Sequence, residues 1–185
     1  ANLRKFSNNR FNVEKINNRQ IFLEEKNQIP LDDEIYKSNM EPKSETLILF
    51  ENDLHVSTLE NILRNYKRVF IILLGNAQRK IKLSEAVLSF KQQIVLEFIK
   101  QFDNVTQIDP LKLKETLVDI DHLDMIYPGV GENKDFINNF KKLNNKVIFN
   151  LVRDQDLFAW KFAKKGFFKF KENIPKINQY VFQNY

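Results

Sequence analysis

The residues with the clearest chemical potential are the two histidines, because each lies among carboxylates. Imidazole nitrogens and carboxylate oxygens are common ligands of divalent metals, and a bound metal can activate water to hydrolyse a phosphoester. The spacing predicts a metal site if the two segments are neighbours in the fold, with Asp53, His55, Asp121 and His122 as ligands. The wider clusters are Glu51-Asp53-His55 and Asp119-Asp121-His122-Asp124.

The same acidic residues also have an ordinary structural interpretation. Asp and Asn after a strand are common turn and helix-cap residues. No known metal-binding spacing such as H-E-x-x-H occurs in the chain, so both interpretations stay open.

A short glycine segment, Gly129-Val-Gly-Glu132, precedes a predicted helix and could present backbone N–H groups to an anion. It lacks the third glycine of the dinucleotide-binding fingerprint, and Pro128-Gly129 accounts for it as a turn. With only 4 glycines in the chain, a P-loop is excluded. We therefore predict no cofactor.

The C-terminal segment from Asp156 to Lys171 interleaves aromatic and basic residues. Aromatic rings can stack on bases and lysines can neutralise phosphates, so single-stranded nucleic acid is one expectation. A helix with buried aromatics, ended by Gly166, is the other, and its surplus aromatics would suit a protein interface. The pattern favours the protein interface, with partner-binding residues Phe158, Trp160, Lys164, Lys165, Phe167, Phe168 and Phe170.

Composition narrows the class of protein. The chain has no cysteine, which excludes disulfides, thiolate nucleophiles and cysteine-ligated zinc. A net charge of +5 permits contact with nucleic acid, anionic lipid or an acidic protein but requires none of them. The longest apolar run, Val69 to Leu74, is too short to span a bilayer, so we expect no transmembrane segment.

Three short apolar runs predict strands that are covered on both faces: 46–50, 69–74 and 147–152. Shorter strands are expected at 105–108 and 125–127, and amphipathic helices lie between the runs. This alternation predicts an α/β fold with a three-layer, mostly parallel sheet of Rossmann or flavodoxin type.

Residues 1–44 form a polar segment with isolated apolar residues, and residues 45–185 form the predicted α/β domain. Spaced apolar residues suit an arm that lies on a partner, although packing on its own domain is an equal alternative. Within this arm we predict that Phe6, Phe11 and Phe22 bind a partner.

We consider three functions from these observations. The first, which the sequence favours, is a non-catalytic supernumerary subunit of a larger multiprotein complex. The basic, Asn-rich beginning and the absence of an initial Met would suit a mitochondrial protein, with the cytoplasm as the alternative. The others are a metal-dependent phosphoester hydrolase and an RNA-binding component of an organellar ribosome.

Overall fold

The computed structural model describes residues 40–163 and 166–184. Its centre is a sheet in which all five strands are parallel, in the order β3-β2-β1-β4-β5. Every residue of the first strand is buried, as expected for a strand between two helix layers. The strands are β1 (Thr46–Phe50), β2 (Arg68–Ile72), β3 (Val105–Ile108), β4 (His122–Ile126) and β5 (Val147–Leu151).

Helices connect the strands and continue beyond the last one. The first two are α1 (Val56–Leu63) and α2 (Glu85–Ile99), and a 3₁₀ turn (Pro110–Lys112) leads into α3 (Leu113–Thr116). The next is α4 (Glu132–Leu143), which joins β4 to β5. Three helices end the described chain: α5 (Asp154–Trp160), α6 (Phe167–Lys171) and α7 (Ile174–Asn184).

The sheet divides the core into two layers because neighbouring side chains of a strand point to opposite faces. Leu47 and Leu49 of β1 pack with residues of α1 and α2 on one face. Ile48 and Phe50 pack with residues of α3 and α4 on the other. The three-layer α/β fold predicted from the apolar runs is therefore confirmed.

A buried carboxylate fixes the backbone just before β1. Asp124 in β4 is fully buried, and its Oδ2 accepts hydrogen bonds from the backbone N–H groups of Lys43 and Ser44 and from the hydroxyl of Tyr66. Burial is the main cause that raises the pKa of Tyr66 above its usual range, and the hydrogen bond to Asp124 is the second. Asp124 is therefore a structural residue that ties residues 43 and 44 to the sheet.

Local details differ from the sequence patterns in two places. Ser57 and Glu60 have the spacing of a capping box, but the box does not form, because α1 begins at Val56 with His55 as its N-cap, two residues before Ser57. The helix predicted from about residue 155 to 165 ends at Trp160, and Gly166, with φ at 80°, precedes α6. By contrast, Ser84 caps α2 as the sequence indicates, its side chain accepting from the Val87 N–H.

Within the described residues, no helix has both the length and the apolar character needed to cross a membrane. The predicted boundary between an arm and a domain at residue 44 stays a prediction, because residues 1–39 lie outside the described part of the chain.

Candidate functional site

The strand order singles out one edge of the sheet as the first place to look for a site. The chain winds from β1 to β3 on one side and then returns to β4 on the other side of β1. In open α/β sheets, ligands bind outside the carboxyl ends of the strands at such a switch point. Here that position lies between the ends of β1 and β4.

An arginine occupies this switch point and bonds to three different elements. Arg79 Nη2 lies 2.9 Å from Glu51 Oε1 after β1, and Nη1 lies 2.8 Å from Glu132 Oε2 at the start of α4. Its Nε donates to the Leu74 carbonyl, beyond β2, at 3.0 Å. Since one guanidinium joins the ends of three elements, Arg79 is a cross-link of the sheet's carboxyl edge.

Other groups complete the charge balance of the buried Glu51 carboxylate. Lys91 Nζ of α2 lies 3.1 Å from Glu51 Oε1, and Asn133 Nδ2 donates to Glu51 Oε2 at 3.4 Å. The Glu51 side chain is only 2% exposed, so these partners take the place of water. At the switch point, the protein's own cations therefore neutralise the carboxylate.

Glu132 closes the network on the side of α4. Its Oε1 accepts from the backbone N–H groups of Lys80 and Ile81, at 2.8 and 2.9 Å. The bond from Ile81 is the main cause of a lowered pKa of Glu132, and Arg79 and the Lys80 N–H add to it. Glu132, the last residue of the Gly129–Glu132 segment, therefore holds the 79–81 loop through its carboxylate. That this segment binds an anion through its backbone N–H groups stays a prediction.

Asp53, which follows β1 at this edge, has a strongly raised pKa. Burial raises the pKa of Asp53 to about 7, against a hydrogen bond from the Phe50 N–H and the charge of Arg153, which lower it. Its Oδ2 accepts that bond at 3.3 Å, so Asp53 closes the turn that follows β1. A carboxyl of this kind can exchange a proton near neutral pH, which makes it a candidate functional group.

The structure does not bring the two predicted metal-binding clusters together. Asp53 and His55 follow the carboxyl end of β1, whereas Asp121 and His122 precede or begin β4, at the amino end of the same parallel sheet. In the described part of the chain, no group of three or more His, Asp or Glu residues could hold a metal ion. The site requires the two clusters to be adjacent, and the parallel pairing of β1 and β4 separates them.

Three of the predicted ligands, His55, Asp121 and His122, have local contacts instead. His55 Nδ1 shares hydrogen bonds with Thr58 Oγ1 and Ser57 Oγ in the first turn of α1. Lys146 Nζ lies 3.3 Å from Asp121 Oδ1. The ring of His122 packs edge-on against that of Phe149, with centroids 6.2 Å apart.

The sequence pattern of α2 was partly misleading about burial. The apolar residues that recur along this helix predict a buried stripe, yet only Val95 and Phe98 are buried. Val87, Phe90 and Ile94, which we call the α2 apolar face, are exposed, Phe90 by 63%. Val95 and Phe98 join the core cluster that contains Leu47 and Leu49 of β1, so α2 packs on the sheet through a side that leaves these three residues exposed.

Beside this face lies a groove of about 350 Å³ between α2 and the segment that leads into α1. Leu54 and Val56 form one wall and Phe90, Ile94 and Phe98 the other. Three polar residues of α2 and the turn after it, Gln93, Glu97 and Gln101, also line the groove. The α2 apolar face therefore offers both a protruding ring and an apolar groove to an approaching surface.

The aromatic residues at the C-terminus fall into two groups. Those of α5 pack internally: the ring of Phe158 stacks on that of Tyr180 in α7, with centroids 4.1 Å apart and planes within 5°. The ring of Trp160 packs edge-on against Tyr127, with centroids 5.7 Å apart. Of the residues predicted to bind a partner, Phe158 and Trp160 thus already have intramolecular contacts.

The second group points outward. Phe168 is 80% exposed and Phe182 is 84% exposed, and Phe167 is also exposed. Phe170 is half-buried in the same short helix, α6. We call Phe167, Phe168 and Phe182 the C-terminal phenylalanines; Phe182 was not predicted from the sequence, although its place in an amphipathic helix, α7, was readable there.

The remaining predicted partner-binding residues, Phe6, Phe11, Phe22, Lys164 and Lys165, lie outside the described residues. No protein-family model, curated protein or solved structure matches this chain. The fold and the two exposed apolar surfaces are therefore the basis on which a function is proposed.

Proposed function

We propose that this protein is a non-catalytic subunit that docks into a larger, mitochondrial protein assembly through its C-terminal phenylalanines. The observation that carries the proposal is the exposure of three large aromatic side chains on two adjacent helices. Aromatic residues are enriched in protein interfaces, where a few of them supply most of the binding free energy.

The charge around these rings indicates the chemistry of the partner. Glu172 is the only acidic residue between residues 161 and 184, whereas lysines recur through that stretch, and Lys169 pairs with Glu172 at 3.0 Å. A surface with apolar anchors and a basic rim is complementary to an apolar surface with an acidic rim. We therefore infer a protein partner of that composition.

Two features support a protein over an RNA partner. Base stacking requires free ring faces. The face of Phe158 is covered by Tyr180, and Trp160 is packed against Tyr127. Phe167 and Phe168 also pack against each other, edge to face at 5.8 Å, so the edge of one ring covers part of a face of the other.

The switch-point network supports a non-catalytic role. Lys91 and Arg79 neutralise Glu51, and Arg79 also binds Glu132, so these groups have structural partners. A domain with this fold can serve only to bind other subunits, because function depends on the sites that a protein carries and not on its fold. The hydrolase alternative predicts a rise in melting temperature with Mg²⁺, Mn²⁺ or Zn²⁺, and we expect none.

The test is isolation of the tagged full chain from its native cells, comparing wild type with the Phe167→Asp/Phe168→Asp variant. We expect the wild type in a particle far heavier than the 22.1 kDa chain, and the double variant to be released from it. Leu111→Asp is the matched control, because Leu111 is an equally exposed apolar residue, 76% exposed, on a different element.

Two outcomes would contradict the proposal. A wild-type chain that is never found in a heavier particle would exclude a subunit role. A particle that dissociates on ribonuclease treatment, or binding that weakens steeply with salt, would indicate that the same residues bind RNA instead.

A further inference from the structure

We propose that the stacked rings of Phe158 and Tyr180 hold α7 in the position from which the protein docks, so that both are positioning residues of the docking surface. This inference rests on the proposed function and deepens it, because it assigns a role to two residues whose rings face each other and not the partner. Its basis is the way in which the last three helices are attached to the α/β domain.

These helices have few contacts with the core. No residue of α5 or α6 is buried, and neither layer of the core includes a described residue beyond Leu151. Segments with few buried apolar contacts open at a lower free energy than the core of the same protein. The position of α5 and α7 therefore depends on the individual side-chain contacts that connect them to the sheet and to each other.

Two aromatic contacts connect α7 to the end of a strand through α5. The ring of Trp160 packs edge-on against Tyr127, which directly follows β4, with centroids 5.7 Å apart. The ring of Phe158, two residues earlier in α5, stacks on that of Tyr180 with centroids 4.1 Å apart. Two residues of a helix turn through about 200°, so these two contacts lie on nearly opposite sides of α5. Helix α5 thus connects the end of β4 to α7, with one ring contact on each side.

Phe158 is itself held by its neighbours. Its ring packs edge to face with that of Phe162, with centroids 5.4 Å apart. Lys161 Nζ lies 5.5 Å from the centroid of the Phe158 ring, within the range of a cation–π contact. A ring with three such contacts has a defined orientation, and it therefore fixes the side of α7 that faces α5.

The same geometry presents Phe182 to the partner. Phe182 follows the half-buried Tyr180 by two residues, so it lies on the nearly opposite side of α7, where it is 84% exposed. An α7 that has lost its contact with Phe158 would present Phe182 in many orientations. Ordering such a segment at the moment of binding lowers affinity. Loss of the stack should therefore weaken docking although every exposed phenylalanine is still present.

Hydrogen exchange of the purified full chain tests the positioning of α7 without any partner. Tyr180→Ala removes one ring of the stack, and we expect the amides of α7 to exchange about tenfold faster, with those of β1 unchanged. Tyr180→Phe keeps the stacked ring and should exchange like the wild type. Phe102→Ala is the matched control, because it removes a ring that packs 5.1 Å from Phe98 within the α/β domain, and it should leave α7 unchanged.

Retention in the native particle tests the consequence for docking. We expect Tyr180→Ala to be released from the particle, and Tyr180→Phe and Phe102→Ala to be retained like the wild type. Retention of Tyr180→Phe is the readout that separates the stacked ring from any role of the hydroxyl.

Three outcomes would overturn the inference. The first is α7 exchange in Tyr180→Ala that equals the wild type, and the second is a Tyr180→Phe variant as loose as Tyr180→Ala. The third is full retention of Tyr180→Ala in a particle that releases Phe167→Asp/Phe168→Asp, in which case the proposed function stands without the inference. Retention of Phe167→Asp/Phe168→Asp would instead contradict the proposed function, and with it the docking role of the stack.

Discussion

Replacing Arg79 tests whether the switch-point network is a structural cross-link. Arg79→Met removes the guanidinium from a carboxylate, Glu51, whose side chain is almost fully buried. Removing one partner of a buried ion pair costs about 3–5 kcal/mol, because an uncompensated charge is left behind. Lys91 remains 3.1 Å from Glu51, so we expect the lower end, about 3 kcal/mol.

That cost is large relative to the whole stability of a domain, about 5–15 kcal/mol. Urea denaturation followed by circular dichroism measures it. With a slope of about 2 kcal/mol per molar urea, the midpoint should fall by about 1.5 M. Lys80→Met is the matched control: Lys80 pairs with Asp135 at an exposed site, and it should cost less than about 1 kcal/mol.

A double-mutant cycle separates the ion pair from simple loss of packing. Adding Glu51→Gln to Arg79→Met removes the unpaired charge, so the two changes together should cost less than the sum of the single costs. A loss below about 1 kcal/mol for Arg79→Met would refute the reasoning, because a buried pair cannot be broken so cheaply.

Two further predictions follow from buried carboxyl groups. Because burial raises the pKa of Asp53 to about 7, the folded state keeps this proton at pH values where the unfolded chain has lost it. Wild-type stability should therefore fall relative to Asp53→Asn as pH rises from about 4 to about 7, and level off above; parallel urea midpoints across that range would contradict this. Tyr66→Phe removes the 2.7 Å hydrogen bond to Asp124 and should cost about 1.5–3 kcal/mol in urea melts. Tyr127→Phe, whose hydroxyl meets Lys134 at a half-buried site, should cost less, and equal costs would contradict the special role of Asp124.

The sheet was predictable because its signal is local. Continuous apolar runs such as Thr46–Phe50 occur where a strand is covered on both faces, and the structure places such strands between two helix layers. The pairing order was not predictable, since any order of parallel strands suits the same runs. Without that order, the sequence could not show that β1 and β4 are neighbours or that His55 and His122 lie at opposite ends of them.

The switch-point network was missed for a related reason. Arg79 lies in a polar loop, and nothing in its neighbours along the chain distinguishes it from other surface cations. Its partners Glu51 and Glu132 are distant in sequence and meet it only because the sheet brings three chain segments to one edge. Long-range pairs of this kind require the three-dimensional structure.

The exposed apolar residues show a second limit on what sequence patterns can predict. The spacing of Val87, Phe90 and Ile94 correctly indicates one face of a helix, but it cannot tell a face that packs inside the chain from one that is left for another molecule. The same holds for the C-terminal aromatics, of which Phe158 packs internally and Phe168 is exposed.

The most direct test of the central claim is the particle mass of the tagged chain from its native cells, with and without Phe167→Asp/Phe168→Asp. The account predicts a heavy, ribonuclease-resistant particle for the wild type and for Leu111→Asp, and release of the double variant as free chain. A double variant that stays in the particle as fully as the wild type would contradict docking through the C-terminal phenylalanines.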